Sequence, residues 1–267
     1  MGLADVHAHL THPRLIARVS EILERARAAG VTTVISNGLN PRDNLEVKAL
    51  SAGFPAVKPA FGFYPVEAAA VDLPALDDQY SHGRGEGTAE DGIAWLREHL
   101  DQAFAIGEIG LDGHWVPEPA WPRQEEVFSR LVRLALDGGK PIIVHSRKRE
   151  NRTFEILREL GAARVIWHCF GGKLSLARSI AEQGHYLSIP ANAARADNFR
   201  RMLKELPRAA ILLETDSPYL GPVRDQDNEP SNVAGTAALT AELWNVSIAD
   251  VVQRLTENFV NLFGVEP

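Results

Sequence analysis

Eight short apolar runs alternate along the chain with stretches whose apolar residues recur every three or four positions. The runs cover residues 3–9, 31–37, 56–61, 103–107, 141–145, 164–168, 185–189 and 210–214. Each is the length of a strand, and an unbroken apolar run is what a strand covered on both faces requires. Helical spacing is clearest in 15–29, through Ile16, Val19, Leu23 and Ala26, and in 124–136, through Val127, Leu131, Leu134 and Ala135. Residues 154–160 and 174–181 are shorter versions, and two more helices are expected over about 233–243 and 248–263. Gly30, Gly138, Gly161 and Gly184 stand where left-handed helix caps are expected. Strand followed by helix, repeated, gives parallel strands with helical crossovers. The 267 residues suit one (β/α)8 barrel of the TIM type, which typically needs ~250. The expectation is a single α/β domain spanning 1–267.

What ends these runs decides between a barrel and an open doubly wound sheet. His7 and His9 close the first run, in DVHAHL. Glu108 follows the fourth, in GEIGLD. His145 ends the fifth, His168 the sixth, and Asp216 follows the eighth, in LLETDSP. All six are side chains that bind divalent cations. An open sheet spreads them along an edge, whereas closure brings every C-terminal strand end into one ring. Alternation along a strand puts His7 and His9 on one face, with Ala8 turned away. Glu108 lies between two glycines, which permit a sharp exit from the strand and close backbone approach. Its two oxygens can bridge two cations, and Asp216 can bind one and hold the attacking water. Two cations ~3.5–4 Å apart would activate a water, polarise a phosphoryl or carbonyl oxygen and steady the leaving oxygen. No G-x-S-x-G, Cys–His nucleophile pair, phosphate-binding P-loop or G-x-G-x-x-G is present. Four histidines and two carboxylates suit zinc, manganese or nickel, whereas magnesium usually prefers oxygen-rich sites. His12, His82, His99, His114 and His185 are read as solvated or structural.

Net charge is −7, which disfavours sequence-independent binding to long duplex DNA but not to a phosphate met locally by cations. The single cysteine, Cys169, excludes an intramolecular disulfide and is read as a buried thiol beside His168. No basic segment followed by a long apolar stretch opens the chain, and no run of about 18 apolar residues occurs, so no membrane partner and a cytoplasmic location are expected. Residues 77–92 are polar, acidic and Gly-rich, and read as a surface loop. Residues 217–232 are Pro-rich, polar and long enough to lie over the mouth as a lid.

Short motifs are spread along nearly the whole chain: D-x-H-x-H at 5–9, G-E-I-G-L-D at 107–112, P-x-x-x-H-x-R at 141–147 and H-C-F-x-G at 168–172. E-T-D-S-P follows at 214–218, then N-E-P at 228–230 and N-x-x-x-L-F-G at 258–264. Together they resemble the TatD family of metal-dependent deoxyribonucleases almost end to end. The resemblance implies an amidohydrolase-type barrel, a two-metal centre and exonuclease activity on DNA, with magnesium the metal commonly ascribed to the family. Carried over, it makes His7, His9, Glu108, His145, His168 and Asp216 the metal ligands. Glu108 takes the place of the modified lysine of many relatives. It puts Arg147 and Glu229 near the mouth as substrate contacts. One departure stands out: GFYP places Tyr64 where the family usually has histidine, leaving a hydroxyl to donate to phosphate.

The expected activity is a phosphodiesterase acting on short or single-stranded 3′ ends of DNA through two divalent ions, magnesium, manganese or zinc. Asp216 and Glu108 are its expected catalytic carboxylates, and Arg147 its phosphate contact. The rivals are a hydrolase of a small ester, amide or lactone, and a deacylase of D-aminoacyl-tRNA. A third is a barrel that binds metal and serves only as a partner protein. The sequence assigns no oligomeric state beyond a default monomer.

Overall fold

The computed structural model describes residues 2–70 and 88–267. Within them run eight strands: β1 (Leu3–Ala8), β2 (Val31–Asn37), β3 (Val57–Phe61), β4 (Ala105–Asp112), β5 (Ile142–Arg147), β6 (Val165–Trp167), β7 (Tyr186–Ile189) and β8 (Ile211–Leu213). They form one parallel sheet in chain order. The sheet closes just beyond β8. The Asp216 N–H donates to the His7 carbonyl, and the His9 N–H to the Ser217 carbonyl, both at 2.8 Å. The barrel, not the open sheet, is therefore the fold.

Its inside is apolar. Val6, Ile35, Ala60, Ala105, Ile143, Ile166 and Leu212, from seven of the eight strands, form one buried cluster. Phe259, Leu262 and Phe263 of the last helix join it and plug one end. At ~25 cal/mol per Å² of apolar surface, this burial and the larger layer under the helices dominate the stability.

The helices are α1 (Val19–Ala28), α2 (Pro41–Gly53), α3 (Pro65–Ala70), α4 (Ala89–Glu98), α5 (Trp121–Asp137), α6 (Glu150–Glu159), α7 (Leu174–Glu182), α8 (Asp197–Glu205), α9 (Val233–Trp244) and α10 (Ile248–Phe263). Spacing located α1, α5, α6, α7, α9 and α10. It missed α2 because the buried face of that helix is Asn44, Val47 and Leu50, with a polar residue in the stripe. The signal there is the start: Asn40 accepts from the Asp43 N–H and Pro41 opens the helix. α4 starts inside the stretch expected to be a loop, at a reciprocal Thr88–Asp91 cap. The rest of that loop, residues 77–87, lies outside the described residues. After α5 it is Gly139, at φ 61°, that turns left-handed, while Gly138 stays right-handed at φ −85°.

Three strands depart from regular pairing, β2 by one extra residue between Val31 and Thr33. β1 and β4 each carry one extra residue relative to their neighbour, between Asp5 and Ala8 and between Ile106 and Ile109. β4 thus continues five residues past its expected end at Gly107. A bulge shifts which side chains face inward without ending the strand. No helix among the described residues is long and apolar enough to cross a membrane.

The segment after β8 is fastened rather than loose. The fully buried Asn228 amide donates to the Thr215 and Tyr219 carbonyls, at 2.8 and 2.7 Å. Asp227 pairs with Arg14, and Glu229 with Arg25.

Candidate metal centre

The six sequence-expected ligand types meet at the C-terminal end of the barrel. The bulges in β1 and β4 aim His7 and Glu108 at the same point as His145 near the end of β5, His168 just after β6 and Asp216 beyond β8. His7 Nε2 and His9 Nε2 are 3.2 Å apart. Glu108 Oε2 lies 3.5 Å from the first and 3.6 Å from the second. Asp216 Oδ1 lies 3.6 and 3.4 Å from them. Tetrahedral bonds of about 2.0–2.1 Å hold ligand atoms roughly 3.3–3.4 Å apart, so this quartet has the spacing of a cation site. The other oxygen of Glu108, Oε1, faces a second group: His145 Nδ1 at 2.9 Å and His168 Nε2 at 3.3 Å. The His7 and His168 rings stack 3.8 Å apart between the two groups. The ligand atoms of His7, His9 and Asp216, and those of His7, Glu108 and His168, each lie within 4.8 Å of one another, so the cluster offers two overlapping sets that could hold a metal ion, with His145 beside the second.

Glycine makes the approach possible. A Cβ on Gly62 would come within 2.2 Å of the Glu108 backbone nitrogen, and one on Gly110 within 1.9 Å of the His145 carbonyl oxygen.

Three carboxylates outside the expected set complete the centre. Asp112 Oδ2 holds His145 Nε2 at 2.9 Å and is itself fixed by the His114 and Trp115 N–H groups. Glu214 Oε1 sits 3.5 Å from His168 Nδ1, and its other oxygen accepts from Ser188. His9 Nδ1 faces the Asn37 carbonyl at 3.1 Å. Such partners fix ring orientation and strengthen imidazole as a ligand. Asp5 accepts from the His7 N–H and from both the N–H and hydroxyl of Thr215, tying β1 to the segment that carries Asp216. The signal in sequence was their place inside the motifs, two or four residues from a ligand. Alternation alone gave them no role.

Burial and crowding set the charges. Burial opposes charge on His9, but Asp216 and Glu108 outweigh it and raise the group to about 9. His145 and His168 are raised against burial in the same way, by Asp112 and Glu108 and by Glu108 and Glu214. Burial, with the neighbouring charge of His168, drives His7 down to about 4. Glu108 and Asp216 stay below the ordinary carboxylate range because the imidazoles around them overcome desolvation. Burial pushes Asp5 up to about 8.

The expected substrate contacts divide. Tyr64 packs edge-on against His145, ring centres 5.0 Å apart, at the rim of the centre. Arg147 ends β5 two residues beyond His145, is exposed, and lies 5.3 Å over the Trp115 ring. Glu229 is committed elsewhere: both its oxygens receive Arg25, and Ser231 adds a hydrogen bond. The Cys169 thiol is held well above its ordinary range by burial and by Glu214 and Asp216, which suits no nucleophile. His185 bridges Trp167 and the Ala162 carbonyl, His99 stacks on Trp95, and His114 lies edge-on to Trp115. His12 meets the Tyr219 hydroxyl. His82 lies outside the described residues.

Comparison with known proteins gives the same picture from another side. Residues 4–264 match the family model described as TatD related DNase. The human protein named deoxyribonuclease TATDN3 is 31% identical over 98% of this chain and 95% of its own. YabD of Bacillus subtilis, described as an uncharacterised metal-dependent hydrolase, is 32% identical over 98% and 99%. The crystal structure of YjjV, a TatD homologue from Escherichia coli, superposes with a TM-score of 0.84 at 26% identity, covering 98% of both chains.

Proposed function

The chain belongs to the TatD-related DNase family, and from that premise we propose that it removes nucleotides from short or single-stranded DNA, at 3′ ends, using two divalent ions. Membership makes it a metal-dependent hydrolase of the deoxyribonuclease kind. The observation that carries the two-ion reading is Glu108, whose two oxygens face two separate groups of donors.

His7, His9, Asp216 and Glu108 Oε2 would hold one ion, and His145, His168 and Glu108 Oε1 the other. Bound there, divalent cations supply Lewis acidity, making water a nucleophile near neutral pH and offsetting the charge that gathers on phosphorus. The rest is the work of side chains. Asp216 accepts the proton of the attacking water: its side chain is 13% exposed against 4% for Glu108, so it is the carboxylate that water reaches. Asp112 and Glu214 hold His145 and His168 in place. Arg147 offers a planar fork of donors to the phosphate oxygens at the rim. Tyr64, with its hydroxyl proton held by burial and by Glu108, donates rather than accepts in that mouth.

The test is chelator-stripped protein given a 3′-labelled single strand, with magnesium, manganese and zinc restored one at a time, beside a panel of small esters and D-aminoacyl-tRNA. Stepwise shortening of the strand is expected with at least one ion. Turnover of the esters or the aminoacyl bond, with DNA left whole, would sink the nuclease reading.

A further inference from the structure

The rim of the barrel is divided by charge. Around the loop and helix that follow β1 the cations are spent: Arg14 and Arg18 both reach Asp227, and Arg25 is held by Glu229. A cleft beside His9 there is lined by Asp43 and Glu46, and its Arg42 pairs with Glu46. On the side of β5 and β6 the cations are not spent. Arg147, Lys148 and Lys173 are exposed, and among the described residues none of them pairs with a carboxylate. Lys148 and Lys173 both line a cleft of about 510 Å³, together with Asn151, Gly171, Gly172 and Ser175. That volume lies within the range of about 300–1,000 Å³ that small-molecule sites occupy. The one carboxylate of the cleft, Glu150, is turned onto the Lys148 N–H at 3.0 Å.

The cleft is built from the two segments that follow His145 and His168. Lys148 follows Arg147 at the end of the strand that carries His145, and Lys173 lies five residues past His168. A polyanion held at the metal centre by one phosphate meets repulsion toward β1 and β2 and unpaired cations toward β5 and β6. We propose that the DNA strand leaves the centre over the loops after β5 and β6, with Lys148 and Lys173 taking backbone phosphates next to the one being cut. The inference rests on the nuclease reading above. Its physical content is separate: a −7 protein concentrates its local attraction for a polyanion on one side of the mouth.

The experiment compares the parent with K148Q/K173Q, both changes being at exposed positions. The substrates are a dinucleotide and a single strand about ten nucleotides long, a length within the usual span of single-strand sites. KM for the longer strand is expected to rise about tenfold more than KM for the dinucleotide. The slope of log KM against log salt should fall by about 1.4, which is about 0.7 for each lost phosphate contact. Equal shifts for both substrates, or an unchanged salt slope, would overturn the proposal. Binding of the labelled strand to metal-stripped protein separates the two readings. If the parent cuts no DNA yet binds the strand more tightly than the variant, the nuclease assignment falls and the docking surface stands. If parent and variant bind alike, the surface falls whatever the activity.

Discussion

On the proposed two-ion reading Glu108 is the side chain on which both donor groups depend, since its two oxygens face one each. Replacing it with alanine removes an oxygen from each group at once. Transition-state charge stabilisation by cations is worth several kcal/mol, so loss of correctly held ions should slow DNA hydrolysis about a thousandfold or more. Circular dichroism should show the fold intact, since the barrel core does not use this carboxylate. Asp112 acts through another residue: it holds His145 without reaching the donor groups itself. Asp112→Asn should weaken metal binding about 10–100-fold, as loss of a ligand's partner typically does. Titration of the stripped variant with manganese or zinc would show it, and an affinity equal to the parent's would refute the role.

Protons compete with metal at the same atoms. Imidazoles ligate only when neutral, yet His9 keeps its proton to about pH 9 in the metal-free state, and His145 and His168 are raised as well. Metal uptake at neutral pH should therefore release protons and tighten as pH rises toward 9. Calorimetry in buffers of differing protonation enthalpy measures this directly. Stability of the metal-free protein should move the other way. His9 is raised from 6.5 to about 9, so its contribution is full below 6.5 and lost as pH climbs through 9. Asp5, raised from 3.8 to about 8, loses its contribution as pH climbs from about 4 through 8, so only the last part of that loss falls above pH 7. Tm of the stripped protein should thus fall between about pH 7 and 9. A Tm that rises across this interval would contradict the charge assignments.

At the scale of elements, the centre depends on how closely strands approach. β4 and β5 run so near each other that a single methyl on Gly110 would sit inside the His145 carbonyl. Gly110→Ala must push β5 away or bend β4, and either displaces His145 relative to Glu108. Overpacking of this kind costs about 1–3 kcal/mol. The expected result is a lower Tm together with a weakened second ion site. A variant that kept parental Tm and metal stoichiometry would show that the backbone yields without cost. The bulges belong to the same argument. Without the extra residue in β1 and β4, strict alternation could not turn Val6 into the apolar layer and His7 into the donor cluster a residue later.

For the whole molecule, metal and fold are separable. The apolar clusters inside and outside the barrel involve none of the six donors, so chelation should leave secondary structure in place. Ion binding still adds to stability by mass action, about 2.7 kcal/mol at a hundredfold excess over Kd. A scan with and without chelator should show one cooperative transition shifted downward, not an unfolded chain.

The strand–helix rhythm, the ligand types that end the runs and the family motifs were all legible along the chain, because periodicity and residue chemistry are local. α2, α3, α4 and α8 were not; α2 hides a buried asparagine in its stripe, and α4 begins inside a polar stretch. Nor could periodicity reveal that bulges aim His7 and Glu108, that Asp112 and Glu214 stand behind the histidines, or that Glu229 is taken by Arg25. Those outcomes depend on which backbones come within a few ångströms of each other after the barrel closes. Distances between residues 100 or 200 positions apart are set by that closure, and no local pattern encodes them.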